Sequence, residues 1–366
     1  MGFNCGIVGL PNVGKSTLFN ALTATAQAEA ANYPFTTVEP NVGRIAVPDP
    51  RLDEIAVAAG SSRVVPTHLE FVDIAGLVRG ASKGEGLGNR FLGAIREVDA
   101  IAHVVRCFAD DNVTHVDGAV DAVRDAETIE TELMLADLES LEGRVEAWAK
   151  KARGGDDEAK AELSVAEPVL AALREGHPAR SVVVAPDAGR RFRMLRLLSA
   201  KPMLFVCNVD EGSLSGDNAL SDAVAAHARP RGMETVVISA KIEAEVAALD
   251  DVAEGTDFLA ELGLAERGLA HLIGAGYRLL RLITFFTAAP KEARAWTVAE
   301  GTAVGEAAAR VHTDFARGFI AAETISCADF VALGGERGAK DAGAMRQEGR
   351  DYVVQDGDVI LFRFNV

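Results

Sequence analysis

Cysteine is scarce in this chain and badly spaced for scaffolding: among 366 residues there are four, Cys5, Cys107, Cys207 and Cys327, each roughly a hundred positions from the next. They form no C-x-x-C pair, which argues against a disulfide framework and a zinc site. Cys5, Cys107 and Cys207 lie in or beside apolar runs, where a free cysteine behaves as a small core residue. No apolar run approaches the eighteen or so residues that a membrane helix needs. The N-terminus lacks the basic region, apolar stretch and small-residue cleavage site of a secretory signal, so a cytoplasmic location without membrane contact is expected. Cations are also in deficit, with 37 Lys and Arg against 54 Asp and Glu, a formal charge of −17 and a pI near 4.9. That balance excludes indiscriminate coating of nucleic acid, because the long-range field repels phosphate; only a local basic patch would serve. Internal repeats and long low-complexity tracts are absent.

What remains is 49% apolar and long enough for two or three domains. Residues 3–9 read as a buried strand and 14–24 as a helix, joined by a Gly-Pro-Asn turn. Further β-branched runs at 69–72, 101–108, 203–206 and 235–238 alternate with helical or glycine-rich stretches. This pattern predicts an α/β fold with a mostly parallel sheet and helices on both faces. Between 126 and 198 the texture changes. Leu133, Leu135, Leu138, Leu141, Val145 and Trp148 recur at helical spacing, residues 152–156 break the pattern, and 157–173 resume it. Two helices joined by a tight turn form a helical hairpin; the alternative is a pair of ordinary flanking helices. Lys150, Lys151, Arg153 and Lys160 gather at its tip, either as a solvated face or as a partner-binding end. After residue 280, strands at 283–287, 295–298, 318–325 and 359–364 with helices at 305–312 and 339–348 predict a mixed α+β domain. The expected division is 1–125 with 199–280, 126–198, and 281–366.

The strongest chemical signal is Gly9-Leu-Pro-Asn-Val-Gly14-Lys15-Ser16-Thr17, which fits G-x-x-x-x-G-K-[ST] between a strand and a helix. Backbone N–H groups from Asn12 to Thr17 would point at phosphate oxygens, aided by the helix N-terminus. Lys15 would bridge the β- and γ-phosphates, and the Ser16 hydroxyl would ligate Mg²⁺. Asp73-Ile-Ala-Gly76 follows an apolar strand, so Asp73 is expected to hold Mg²⁺ through water and the Gly76 amide to sense the γ-phosphate. The glycine-rich residues 80–88 behind it suit a switch. In the segment 32–41, Thr36 and Thr37 both offer a hydroxyl for the metal, and spacing does not choose between them.

Taken together, residues 9–17, 32–41, Asp73-Ile-Ala-Gly-Leu-Val78 and Gly84-Glu-Gly-Leu-Gly-Asn89 closely resemble the YchF (Obg-like ATPase) family of P-loop proteins, over essentially the whole chain. The resemblance implies a G domain interrupted by the helical hairpin and followed by a TGS domain of β-grasp, ubiquitin-like fold. Lys291-Glu-Ala-Arg-Ala-Trp296-Thr and Val311-His-Thr-Asp-Phe315 carry it at the C-terminus. It makes Thr37 the magnesium-sensing residue, with Thr36 where many members carry cysteine; a hydroxyl there excludes thiol-based control at that position. In Ras-like GTPases a glutamine follows the D-x-x-G glycine, but here Leu77 does, and its side chain cannot orient water. The resemblance points to His115 instead as the catalytic residue, while His103, inside an apolar run, reads as core. The base-reading loop Asn208-Val209-Asp210-Glu211 lacks the lysine of N-K-x-D and ends in glutamate, which weakens guanine recognition. The resemblance therefore implies ATP as substrate, bound by backbone groups around Asn208 and Val209, with Ser239, Ala240 and Lys241 closing the other side. It further implies slow hydrolysis and a ribosomal RNA or protein partner; a monomer is expected.

Overall fold

The computed structural model describes residues 3–30, 41–74, 87–110, 112–115, 119–214, 218–249, 252–264 and 266–365. Its strands, in chain order, are β1 (Asn4–Val8), β2 (Val42–Ala46), β3 (Val64–Val65), β4 (His68–Asp73), β5 (Ala100–Arg106), β6 (Met203–Asn208), β7 (Thr235–Ile238), β8 (Leu282–Ala288), β9 (Ala293–Ala299), β10 (Phe319–Ser326), β11 (Arg346–Glu348) and β12 (Asp358–Phe364). The first five helices are α1 (Lys15–Ala30), α2 (Pro50–Ala59), α3 (Leu87–Glu97), α4 (Ala122–Arg153) and α5 (Asp157–Arg174). The chain divides into two compact units, Phe3–Gly43 with Glu70–Gly276, and Arg44–Leu69 with Tyr277–Val366.

The first unit is built on the strands β4, β1, β5, β6 and β7, neighbours in that order in a six-stranded sheet β2-β4-β1-β5-β6-β7. The pairings of β1 with β4 and β5, of β5 with β6, and of β6 with β7 are all parallel. Every residue of β5 and β6 is buried, as a sheet covered on both faces requires. The chain crosses and returns so that the carboxyl ends of β1, β4, β5, β6 and β7 share one edge, where ligands of open α/β sheets bind. The expected helical hairpin is present: α4 and α5 pack side by side, each N-capped by an aspartate, Asp121 and Asp156, that accepts from the backbone three residues on. Helix α4 starts at Ala122 rather than near 129. Leu141, Val165, Val169 and Leu173 form the centre of its own apolar cluster.

In the second unit the sheet order is β11-β10-β12-β8-β9-β3. Strands β8 and β9 form an antiparallel hairpin, the helix Val304–Val311 follows, and β12 runs parallel to β8 between it and β10. That is a β-grasp arrangement. Alternate residues of β8 serve its two faces. Phe285 packs with Val298, Val304 and Ala307, whereas Phe286 packs with Leu52, Ile55 and Ala56 of α2 and with Phe330. The expected division keeps residues 1–125 together, but 44–69 join this unit, because Leu52, Ile55 and Ala56 pack with Phe286 and Phe330. A helix over 339–348 is expected from the pattern, but the helix Glu336–Asp341 stops early and β11 follows. Gly343, at φ +74°, turns the chain and lets the Ala344 amide donate to Ala339 O at 2.8 Å, after which residues 346–348 pair with β10.

His103 lies midway along β5, 1% exposed and against the Phe205 ring, with no hydrogen-bond partner for Nδ1 among the described residues. The sequence reading of a core residue is what the strand presents. Burial, helped by the Arg180 charge, lowers its pKa to about 3. The unfolded chain therefore binds a proton near pH 6.5 that the folded chain refuses, and stability falls as pH drops below that value. At pH 5 the single group should cost about 2 kcal/mol relative to pH 7. His103→Leu should lose correspondingly less stability between pH 7 and pH 5 in urea titrations; an unchanged pH dependence would refute the assignment.

Candidate functional site

The loop between β1 and α1 wraps the helix N-terminus. Asn12 and Gly14 take left-handed backbone angles, φ +62° and +89°, which curl the loop; glycine does this freely and asparagine tolerably. No acidic residue occupies the first turn of α1, so the helix's own first turn leaves its positive end open to an anion. Val13 and Lys15 are buried, while Asn12, Ser16 and Thr17 are exposed. Lys15 Nζ is ion-paired with Asp73 Oδ1. The register that sets Ile7 beside Asp73 brings this carboxylate to the phosphate loop. Of the predicted metal residues, Ser16 and Asp73 are thus at the same edge. Thr37 and Gly76 lie outside the described residues, as do Thr36 and Leu77.

Asn208, at the end of β6 and 4% exposed, ties two loops together. Its Nδ2 donates to Val13 O at 2.9 Å, and its Oδ1 accepts from the Ala240 amide at 2.9 Å. Val209 is buried with its amide on Ile238 O at 2.9 Å. Ser239 is 1% exposed, and its Oγ has no hydrogen-bond partner among the described residues. Glu211 is ion-paired with Lys241, across the two loops expected to frame the base.

His115 is placed differently from a residue poised over phosphate. Its side chain is 6% exposed, and Nε2 lies 2.7 Å from Oδ2 of Asp125, in the first turn of α4. The segment before it is shaped by Arg106, which sequence reasoning passed over. This guanidinium is 2% exposed and donates to Phe108 O, Val113 O and Asp110 O at 3.1, 2.9 and 3.1 Å. An arginine closing an apolar strand before a polar loop was the available signal. Asn12 Nδ2 donates to Thr114 O at 3.1 Å, so the phosphate loop and the residue before His115 are joined.

A methyl group at Gly14 would meet Asn208 Nδ2 at 2.2 Å, at a backbone angle that side chains resist. Gly14→Ala should therefore cost nucleotide affinity at least 100-fold by calorimetry. Asn208→Ala, which leaves Val13 O and the Ala240 amide unpaired, should destabilise the fold by about 2 kcal/mol in urea titrations. Wild-type affinity in the first variant or wild-type stability in the second would contradict the geometry.

Residues 4–137 match the family model of the 50S ribosome-binding GTPases. Residues 282–365 match the YchF-GTPase C-terminal model, described as a protein of unknown function. A protein of Haemophilus ducreyi named ribosome-binding ATPase YchF is 55% identical over 366 residues, covering the whole of both chains. The protein of that name from Haemophilus influenzae is 54% identical, again over the whole of both. The solved structure titled Schizosaccharomyces pombe YchF GTPase superposes with a TM-score of 0.89 at 34% identity, covering 99% of this chain and 98% of that one. With a phosphate-binding loop on a parallel sheet, a helical hairpin, a β-grasp unit and end-to-end likeness to these relatives, the chain belongs to the YchF family of P-loop proteins.

Proposed function

We propose that this chain binds Mg·ATP at the shared carboxyl edge of its first sheet, hydrolyses it slowly, and acts on the ribosome. The bacterial relatives' name supports ATP hydrolysis and ribosome binding, while the S. pombe relative is titled a GTPase. The observation that favours adenine is the Glu211–Lys241 ion pair. Guanine-reading loops use an aspartate to accept from N1–H and the 2-amino group; here the acid is one carbon longer and already engaged by a cation. In this reading the first unit forms the ATPase domain with 126–198 as its inserted hairpin, and residues 281–366 of the second unit form the TGS domain.

Lys15 would exchange its Asp73 partner for the β- and γ-phosphates, leaving Ser16, Thr37 and Asp73 to hold Mg²⁺, which supplies charge neutralisation at the phosphate oxygens when bound. The amides of Asn12 to Thr17 cradle the phosphates, and that of Gly76 reports the γ-phosphate. Asn208, Val209, Ser239 and Ala240 would frame the base. His115 orients the attacking water, with Asp125 holding the imidazole through Nε2.

Calorimetry with Mg·ATP and Mg·GTP should show tighter ATP binding, and Val209→Lys with Glu211→Asp should raise GTP affinity at least 10-fold. A parent that prefers GTP would overturn the base argument. His115→Ala should lower kcat by about 100-fold, within the range for a lost acid–base group, with KM for ATP little changed; full activity would remove His115 from the mechanism.

A further inference from the structure

Four arginines fall within seven residues, Arg190, Arg191, Arg193 and Arg196, preceded by one acid, Asp187, in a chain whose formal charge is −17. They belong to the segment that follows α5, around the short helix Gly189–Met194. One of the four has a structural task. Arg191 reaches Glu158 and Glu162 of α5 at 2.5 and 2.7 Å, and Phe192, Leu195 and Leu197 join the apolar cluster of the hairpin. The backbone is thereby fixed. The other three guanidinium groups stand exposed and make no ion pair among the described residues. Arg190 and Arg193 are three apart on the helix, hence on one side of it. Arg196 holds φ +51°, a conformation usual for glycine at a helix end. Met194, 62% exposed, lies among them.

The hairpin tip makes the contrast clear. There Lys150 pairs with Glu146 and Lys160 with Asp157, at 2.8 and 2.7 Å, so half of that cluster is already neutralised by its own helix. The arginine segment holds uncompensated charge on a rigid base, and guanidinium groups match phosphate oxygens two at a time. We propose that Arg190, Arg193 and Arg196 form a docking surface for the phosphate backbone of ribosomal RNA. The inference rests on the ribosome reading above and names the surface that would serve it.

The test is co-sedimentation of the full chain with bacterial ribosomes, and separately with deproteinised ribosomal RNA, from 50 to 200 mM KCl. The variants are Arg190→Glu/Arg193→Glu/Arg196→Glu and, as a charge control, Lys150→Glu/Lys160→Glu; ATP turnover checks that both fold. The arginine variant should bind both probes at least 10-fold more weakly, with a salt slope shallower by about 2 to 3 for three lost phosphate contacts, while the control changes little. Unchanged binding by the arginine variant, with wild-type protein on the ribosome, overturns this surface and leaves the ribosome reading intact. Arginine-dependent binding to the naked RNA but none to ribosomes supports the surface and overturns that reading. Equal losses in the control, or binding to phosphatidylserine vesicles in preference to either probe, also overturn the proposal.

Discussion

The buried side chain of Asn208 is the joint on which the proposed nucleotide site depends. Its donor holds the Val13 carbonyl and its acceptor holds the Ala240 amide, so two loops from opposite ends of the first unit's sequence are set by one planar group. A planar amide with one donor side and one acceptor side does this without adding charge to the interior. Because it is 4% exposed, water competes poorly for either bond. The phosphate loop is therefore shaped before any ligand arrives, and the absence of a Cβ at Gly14 is what lets the amide approach.

A second buried group governs the neighbouring loop in another way. Arg106 satisfies three backbone carbonyls of the loop that follows it, bracing the segment that leads to His115. Asn12 links this segment to the phosphate loop, and Asp125 holds the imidazole through Nε2. The site thus combines a preformed cradle with a histidine anchored elsewhere.

Much of this was legible in the sequence because the informative residues are local. The phosphate loop lies in nine consecutive positions, Asp73 ends an apolar strand, and the helical period across 133–148 foretells the hairpin. Asn208 could be named from its position after β6. Its two bonding partners could not, since they are 195 and 32 residues away. The same holds for the Glu211–Lys241 pair and for the direction of His115, which depend on side-chain placement rather than spacing. The missed strand at 346–348 reflects a different failure. An alanine- and glycine-rich stretch reads as helix until the left-handed turn at Gly343 is seen to end it. At the hairpin tip the sequence leaves a solvated face and a partner-binding end open, and the pairs Lys150–Glu146 and Lys160–Asp157 suit the former. Arg190, Arg193 and Arg196, which the sequence does not single out, make no ion pair among the described residues.

The packing of α2 against β8 and β9 has a consequence for biosynthesis. Leu52, Ile55 and Ala56 emerge early from the ribosome, but the apolar surface that covers them, Phe286, Ala293, Ala295 and Phe330, is made more than two hundred residues later, and Arg51 finds Asp356 across 305 positions. At about 5 to 20 residues per second, the gap lasts on the order of 15 to 60 s. During that interval a helix-length apolar stripe has no native partner. The nascent chain must either keep that stripe bound to something else or leave it unstructured, so the second unit cannot fold in simple order from the N-terminus. Its last strand, β12, is also the one that joins the two halves of its sheet, which makes completion of this unit wait for the synthesis of residues 358–364.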